Sequence, residues 1–141
     1  MRAVCGQTVM KFPAPDAASY EDSLQMAREF IQRWKDHPLI VPAVAPHAPY
    51  TSTPEMLRAT AELAKEFDVP LHTHLAETAF EVENMRNEHG IPVIPYVKKH
   101  GLFEAKVIAA HCVHIDTGEM GDLHFDRLTR EAMPSFPSGA P

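Results

Sequence analysis

The 141-residue chain has little cysteine: Cys5 and Cys112 are the only two. They are too far apart for a CxxC pair and too few for a disulfide framework, so a reducing compartment is expected. Excess positive charge is also missing. Lys and Arg number 13 against 19 Asp and Glu, a formal net charge of −6 with His neutral. That balance repels phosphate and argues against nucleic acid or an anionic membrane as partner. No stretch approaches the roughly 18 apolar residues of a membrane span, and Met1-Arg2-Ala3 leads into no signal-peptide core. The expected location is the cytoplasm. A Gly-rich phosphate loop, a serine nucleophile elbow, a P-loop, internal repeats and low-complexity tracts are all absent.

The remaining composition is that of a globular domain. Apolar residues make up 45% and charged residues 23%, enough to bury a core. Strand-like and helix-like segments alternate. Residues 4–10 read as a strand, and Ser19 reads as an N-cap with Asp22 in the first turn. A helix then runs to about Lys35, with Leu24, Ala27, Phe30, Ile31 and Trp34 on one stripe. Residues 39–44 form an apolar run expected of a strand buried on both faces. Thr53-Pro54-Glu55 opens a second helix reaching about Phe67. A third strand covers residues 68–74, a third helix runs from about Thr78 to Glu88, and residues 95–100 add a short one. The apolar run 106–110 ends at His111. Such alternation predicts βα units and a parallel sheet. The tail, residues 121–141, has a different composition; it allows a short helix near 126–132 followed by disorder.

Nine histidines are present, and three of them, His47, His74 and His111, fall at or just past predicted strand ends. A (β/α)8 barrel collects its chemistry on that rim, whereas an open sheet gathers it at one switch point. His72 and His74, two apart on a strand, face the same way, and neutral imidazole is a common zinc or iron ligand. Glu77 follows where the chain leaves the strand, a position suited to a proton shuttle beside a metal. The same pattern also fits two buried, hydrogen-bonded histidines. His111 ends a buried run and needs a partner there; a core His bonded to a carbonyl is the alternative. Cys112 reads as a small buried hydrophobe, and His114 as part of the outgoing loop. His47, between Pro46 and Pro49, sits in a loop that proline stiffens, which suits either ligand presentation or a structural role. His37, His89, His100 and His124 read as helix-end or surface residues. Glu81, Glu83 and Glu88 read as a solvated helix face.

Three segments, PHAPYT (Pro46 to Thr51), LHTHLAET (Leu71 to Thr78) and AAHCVH (Ala109 to His114), together resemble the amidohydrolase superfamily. The resemblance is to its methylthioadenosine/S-adenosylhomocysteine deaminase and chlorohydrolase branch, and covers roughly residues 2–120. It implies an α/β fold, a partial (β/α)8 barrel holding about its third to sixth strands, over residues 1–120. It further implies one divalent metal, zinc first and iron second. His74 matches the metal ligand of the fifth strand, with His72 in the motif but not the usual ligand. Glu77 matches the proton-shuttling carboxylate. His111 matches the histidine that binds or orients the metal-bound hydroxide, and His47 a substrate-contacting residue. The implied reaction is hydrolytic deamination of an adenine-type nucleoside, a small-molecule substrate. The alternatives are an aminohydrolase or chlorohydrolase acting on triazine-like or guanine-like rings, or an inactive truncated fragment. The family takes further ligands from an HxH on its first strand and an Asp on its eighth, and neither is found here. The chain alone is therefore expected to be inactive and to self-associate through open sheet edges.

Overall fold

The computed structural model describes residues 1–123. Four strands, β1 (Ala3–Val9), β2 (Ile40–Pro46), β3 (Leu71–Leu75) and β4 (Val107–His111), form one sheet in the order β1-β2-β3-β4. Every pairing is parallel. Sequential order without reversal is the arrangement of a barrel wall; a doubly wound sheet reverses at its switch point. The helices α1 (Tyr20–Trp34), α2 (Pro54–Glu66), α3 (Ala79–His89) and α4 (Val93–Lys99) lie in the connections, and α5 (Thr117–Asp122) follows β4. None of these helices is long and apolar enough to cross a membrane. The expected helix near 126–132 and the disorder beyond it fall outside the described residues.

Local chemistry sets the element ends. Ser19 and Asp22 form a reciprocal capping box at 3.1 Å in each direction. Thr53 Oγ1 accepts from Met56 N, and Pro54 occupies the first position of α2, where its missing N–H is no loss. Helix α2 stops in a Schellman turn: Val69 N donates to Ala64 O and Asp68 N to Lys65 O. Asp68 takes the left-handed conformation there, at φ 53°. The segment expected to be extended from Asp68 is therefore still a helix terminus, and β3 begins only at Leu71.

The strands bury one face under the helices. In β3, Leu71, Thr73 and Leu75 are buried while His72 and His74 are half-buried. Leu71 and Leu75 join Ala27 and Ile31 of α1, Leu57 and Ala61 of α2, Met85 of α3 and Ile94 and Val97 of α4 in one core. Each fully buried leucine stabilises the fold by on the order of 1.5–3 kcal/mol relative to exposure. On the other face of the sheet, Gly6 of β1 lies opposite Ala43. A Cβ at Gly6 would come within 2.9 Å of Ala45 Cβ and 3.0 Å of Ala43 O, so only glycine fits that approach.

Two expectations of burial need correction. The 106–110 run is not buried as a whole: Val107 is, but Ile108 and Ala109 are exposed. β4 is an end strand among the described residues, so its outer surface has no neighbour to cover it. The 39–44 run is likewise buried only from Pro42 onward; Leu39 is exposed, and Ile40 and Val41 are half-buried.

Candidate active site at the strand ends

The chain brings His47, His74, His111 and Glu77 together where β2, β3 and β4 end. The ring of His74 is the centre of the group. Its centroid lies 5.2 Å from that of His47, 5.3 Å from that of His111 and 6.1 Å from that of His72. The His47 carbonyl oxygen accepts three hydrogen bonds: from His74 N at 3.1 Å, His74 Nδ1 at 2.7 Å and Thr73 Oγ1 at 3.3 Å. A carbonyl can only accept, so His74 Nδ1 carries the proton, and in the neutral ring Nε2 is the nitrogen that keeps a lone pair. A carbonyl holding one ring nitrogen so that the other can ligate is the outer-shell arrangement of metal-binding histidines.

His47 follows β2, and its own N–H donates to Val9 O. Its Nδ1 lies 3.0 Å from Thr51 Oγ1, a hydroxyl that donates to Ala48 O at 3.0 Å. Thr51 thereby fixes the ring, and Tyr50 stands edge-on to it with centroids 6.0 Å apart. Burial, and then the carboxylates of Glu81 and Glu77, raise the Tyr50 phenol above its ordinary pKa. Burial and the neighbouring His74 push the His72 imidazole below its ordinary value.

Strict alternation along β4 pairs His111 with Leu75, on the helix-covered side. The backbone breaks that alternation. His111 has φ 68° and Cys112 φ 52°, and at the neighbouring strand end Ala76 has φ 50°. Non-glycine residues held there cost on the order of 1–3 kcal/mol each and cluster at functional sites. The two ends are tied together: Leu75 O accepts from Cys112 N, and Ala76 O from Val113 N and His114 N. The outcome is that the His111 ring meets His74, and His111 Nε2 lies 3.6 Å from Glu77 Oε1. The His111 side chain is 39% exposed, so the partner it was expected to need in a buried run is instead a carboxylate at an open rim.

Glu81 corrects the reading of a solvated acidic face. Glu83 and Glu88 are exposed, but Glu81 is 5% exposed. Its carboxylate accepts from Ala76 N at 3.3 Å and from Glu77 N at 2.8 Å. Sequence reasoning missed this, although Thr78-Ala79-Phe80-Glu81 has the form of a capping box, which marks Glu81 as a helix-start residue. A second buried carboxylate, Glu119, accepts from Asp116 N and Ile94 N and ties the starts of α5 and α4. His37 and His89 are exposed and His100 half-buried, as expected of helix ends, and His114 is exposed in the turn after β4. His124 lies outside the described residues. Among the described residues, no three His, Cys, Asp or Glu converge as a complete metal site requires. His74 thus fits one position of a metal's coordination shell, and the described residues do not by themselves complete that shell.

The profile of the Amidohydrolase family matches residues 1–135. The chain belongs to this family. Among its amidohydrolase relatives is a 5-methylthioadenosine/S-adenosylhomocysteine deaminase of Thermodesulfovibrio yellowstonii, 43% identical over 120 residues, which are 85% of this chain and 27% of that protein. Another protein of that name, from Nitratidesulfovibrio vulgaris, is 40% identical over the same shares of each. A solved adenosine deaminase from Xanthomonas campestris with bound zinc superposes with a TM-score of 0.82 at 33% identity, over 86% of this chain and 28% of that one. Atrazine chlorohydrolase from Arthrobacter aurescens, solved with zinc, shares the fold at a TM-score of 0.74 and 21% identity, over 86% and 29%. The chain thus spans about a quarter of the length of the relatives it matches, and its four strands are part of their barrel.

Proposed function

We propose that this chain carries the central part of the active site of a metal-dependent deaminase acting on adenine-type nucleosides, of the methylthioadenosine or S-adenosylhomocysteine kind. The observation that carries the reading is His74, whose Nδ1 is committed to the His47 carbonyl and whose ring lies 5.3 Å from that of His111, itself 3.6 Å from the Glu77 carboxylate. His74 would hold the metal through its second ring nitrogen. A divalent cation there, zinc in the first instance, would supply positive charge that polarises water and a developing anion. Further ligands would have to come from residues outside this set.

The chain's own residues then divide the work. Glu77 takes the proton of the attacking water and delivers it to the ring nitrogen, a role open to a carboxylate that is not itself a ligand. Carbon–oxygen bond formation at the amine-bearing carbon gives a tetrahedral adduct; its hydroxyl proton passes to the amino group as the carbon–nitrogen bond breaks, and ammonia leaves. His111, 3.6 Å from Glu77, hydrogen-bonds the attacking oxygen and steadies its approach. His47, fixed by Thr51, presents its ring to the substrate. The names of the relatives in the sequence comparison favour a nucleoside over a triazine or guanine ring.

The test is turnover by the whole natural protein, metal-loaded, read as ammonia release on methylthioadenosine, S-adenosylhomocysteine, adenosine and guanine and as chloride release on a chlorinated triazine. The reading requires the first two to be turned over with the highest kcat/KM. Dominant turnover of guanine or of the triazine would replace it with the corresponding aminohydrolase or chlorohydrolase.

A further inference from the structure

Glu81 belongs to no part of the proton path, yet it is a carboxylate buried to 5% exposure directly beneath it. Burying an ionised group is costly unless it is hydrogen-bonded. Here the compensation comes from backbone N–H groups. Oε1 accepts from Ala76 N at 3.3 Å and Oε2 from Glu77 N at 2.8 Å. Glu81 N itself donates to Thr78 Oγ1 at 3.1 Å, so the residue sits in the first turn of α3, where a negative charge is favoured.

The two N–H groups it holds lie at the most constrained point of the site. Ala76 is left-handed, at φ 50°, and its N–H and that of Glu77 point the same way off the strand end. The forked carboxylate gives each of them an oxygen of its own. Holding them fixes the direction in which the chain leaves β3, and so the base of the Glu77 side chain, whose carboxylate faces His111 at 3.6 Å. Glu77 needs such support because its side chain is 44% exposed. The field of Glu81 also reaches the far side of the rim, where it raises the pKa of Tyr50 and Cys112 after burial has done so.

We infer that Glu81 is a positioning residue for the reaction: its carboxylate clamps the Ala76 and Glu77 amides and thereby aims the Glu77 proton shuttle. This rests on the deaminase reading for its kinetic consequence, but the clamp itself can be read without substrate. The informative variant is Glu81→Gln. It keeps one acceptor oxygen and turns the other into an NH2 group facing a backbone N–H. Glu81→Asp keeps both acceptors on a shorter arm and serves as the conservative comparison.

On the metal-loaded whole protein, Glu81→Gln lowers kcat on the order of 10–100-fold, the scale of a misplaced reacting group. KM and metal content stay within about threefold, and Glu81→Asp recovers part of the rate. In a Glu77→Gln background the same change has little further effect, because residues acting through one another are not additive. A loss of rate that multiplies with that of Glu77→Gln would overturn the proposal, and so would an unchanged kcat. Amide hydrogen exchange at Ala76 and Glu77, read by NMR, is independent of the substrate. Glu81→Gln accelerates it at those two amides more than at β3 residues Leu71 and Thr73, which supports the clamp even if the wild-type protein deaminates none of the nucleosides. Equal exchange in wild type and in both variants would remove the clamp whatever the activity. If Glu81→Gln does not fold, Glu81→Asp carries the same two measurements.

Discussion

The His74 ring nitrogen Nδ1 lies 2.7 Å from the backbone carbonyl oxygen of His47, across the gap between β2 and β3. The bond sets which nitrogen of His74 is protonated and makes one candidate site residue the support of another. The His47 side chain can be replaced without losing this support, since the contact is to its main chain. The His74 side chain cannot. His74→Ala in the whole protein should therefore lose metal and activity together, while His47→Ala should keep metal and raise KM. Metal content by elemental analysis, with steady-state kinetics, checks both. Full metal occupancy in His74→Ala would remove His74 from the ligand set.

Glu77→Gln should preserve fold and metal but lose turnover. Gln matches Glu in size and cannot pass on a proton, and general acid–base catalysis is worth on the order of 10²–10⁴-fold. If metal content fell in step with activity, Glu77 would be a ligand and not a shuttle.

Much of this arrangement is legible in the sequence because period and spacing are local properties. The alternation of Leu71, Thr73 and Leu75 with His72 and His74 fixes which side of β3 is covered, and the structure keeps that division. Strand ends, and so the shared rim of His47, His74 and His111, follow from the same reading. Two features are not legible, for different reasons. The direction of His111 depends on its left-handed backbone, which neither its residue type nor the preceding apolar run announces. The burial of Glu81 depends on a side chain reaching back over a strand end from the first turn of a helix. Scattered glutamates on a helix look solvated unless the capping-box spacing from Thr78 is given weight. The exposure of Ile108 and Ala109 is a third case, since an apolar run carries no record of whether another strand stands beside it.

Cys112 offers a pH-dependent readout of the β4 end. Burial, then the Glu81 carboxylate, raises its thiol pKa. A raised folded-state pKa means that the folded chain holds the proton more tightly than the unfolded one. The corresponding stability is fully present below the ordinary thiol pKa and is lost as pH rises through the folded value. Iodoacetamide should therefore modify Cys112 slowly at neutral pH, with a rate that climbs at higher pH in the folded chain than in urea. Peptide mass mapping separates Cys112 from Cys5. Equal pH profiles in the two states would contradict a protonated thiol favoured by the fold.

The 141-residue polypeptide by itself should bind zinc weakly. A catalytic zinc site ordinarily takes three protein ligands, and no such set converges among the described residues. Calorimetric titration should give affinity in the micromolar range or weaker, on the order of 8 kcal/mol of binding free energy or less. A tight one-to-one site abolished by His74→Ala would mean that a complete site forms from these residues alone.

The same polypeptide should self-associate, for a reason rooted in the sheet. β1 and β4 stand at the two ends of the strand order. Each leaves one row of backbone N–H and C=O groups without a strand partner among the described residues, and closing into a barrel is how this architecture removes such edges. The exposed side chains beside those edges are partly apolar, with Val4 at 49% and Ile108 at 37% exposure. Pairing edge to edge covers both the backbone groups and these side chains. A lysine on the solvent face of an end strand is a recognised deterrent to such pairing, so Ile108→Lys should shift the population toward monomer without disturbing Val107, which is buried on the opposite face. Size exclusion with light scattering reads both. Oligomers that dissociate on dilution, and fewer of them in Ile108→Lys, are expected. A monodisperse monomer at tens of micromolar would show that the end strands are already protected, and an unchanged distribution in Ile108→Lys would move the contact away from β4.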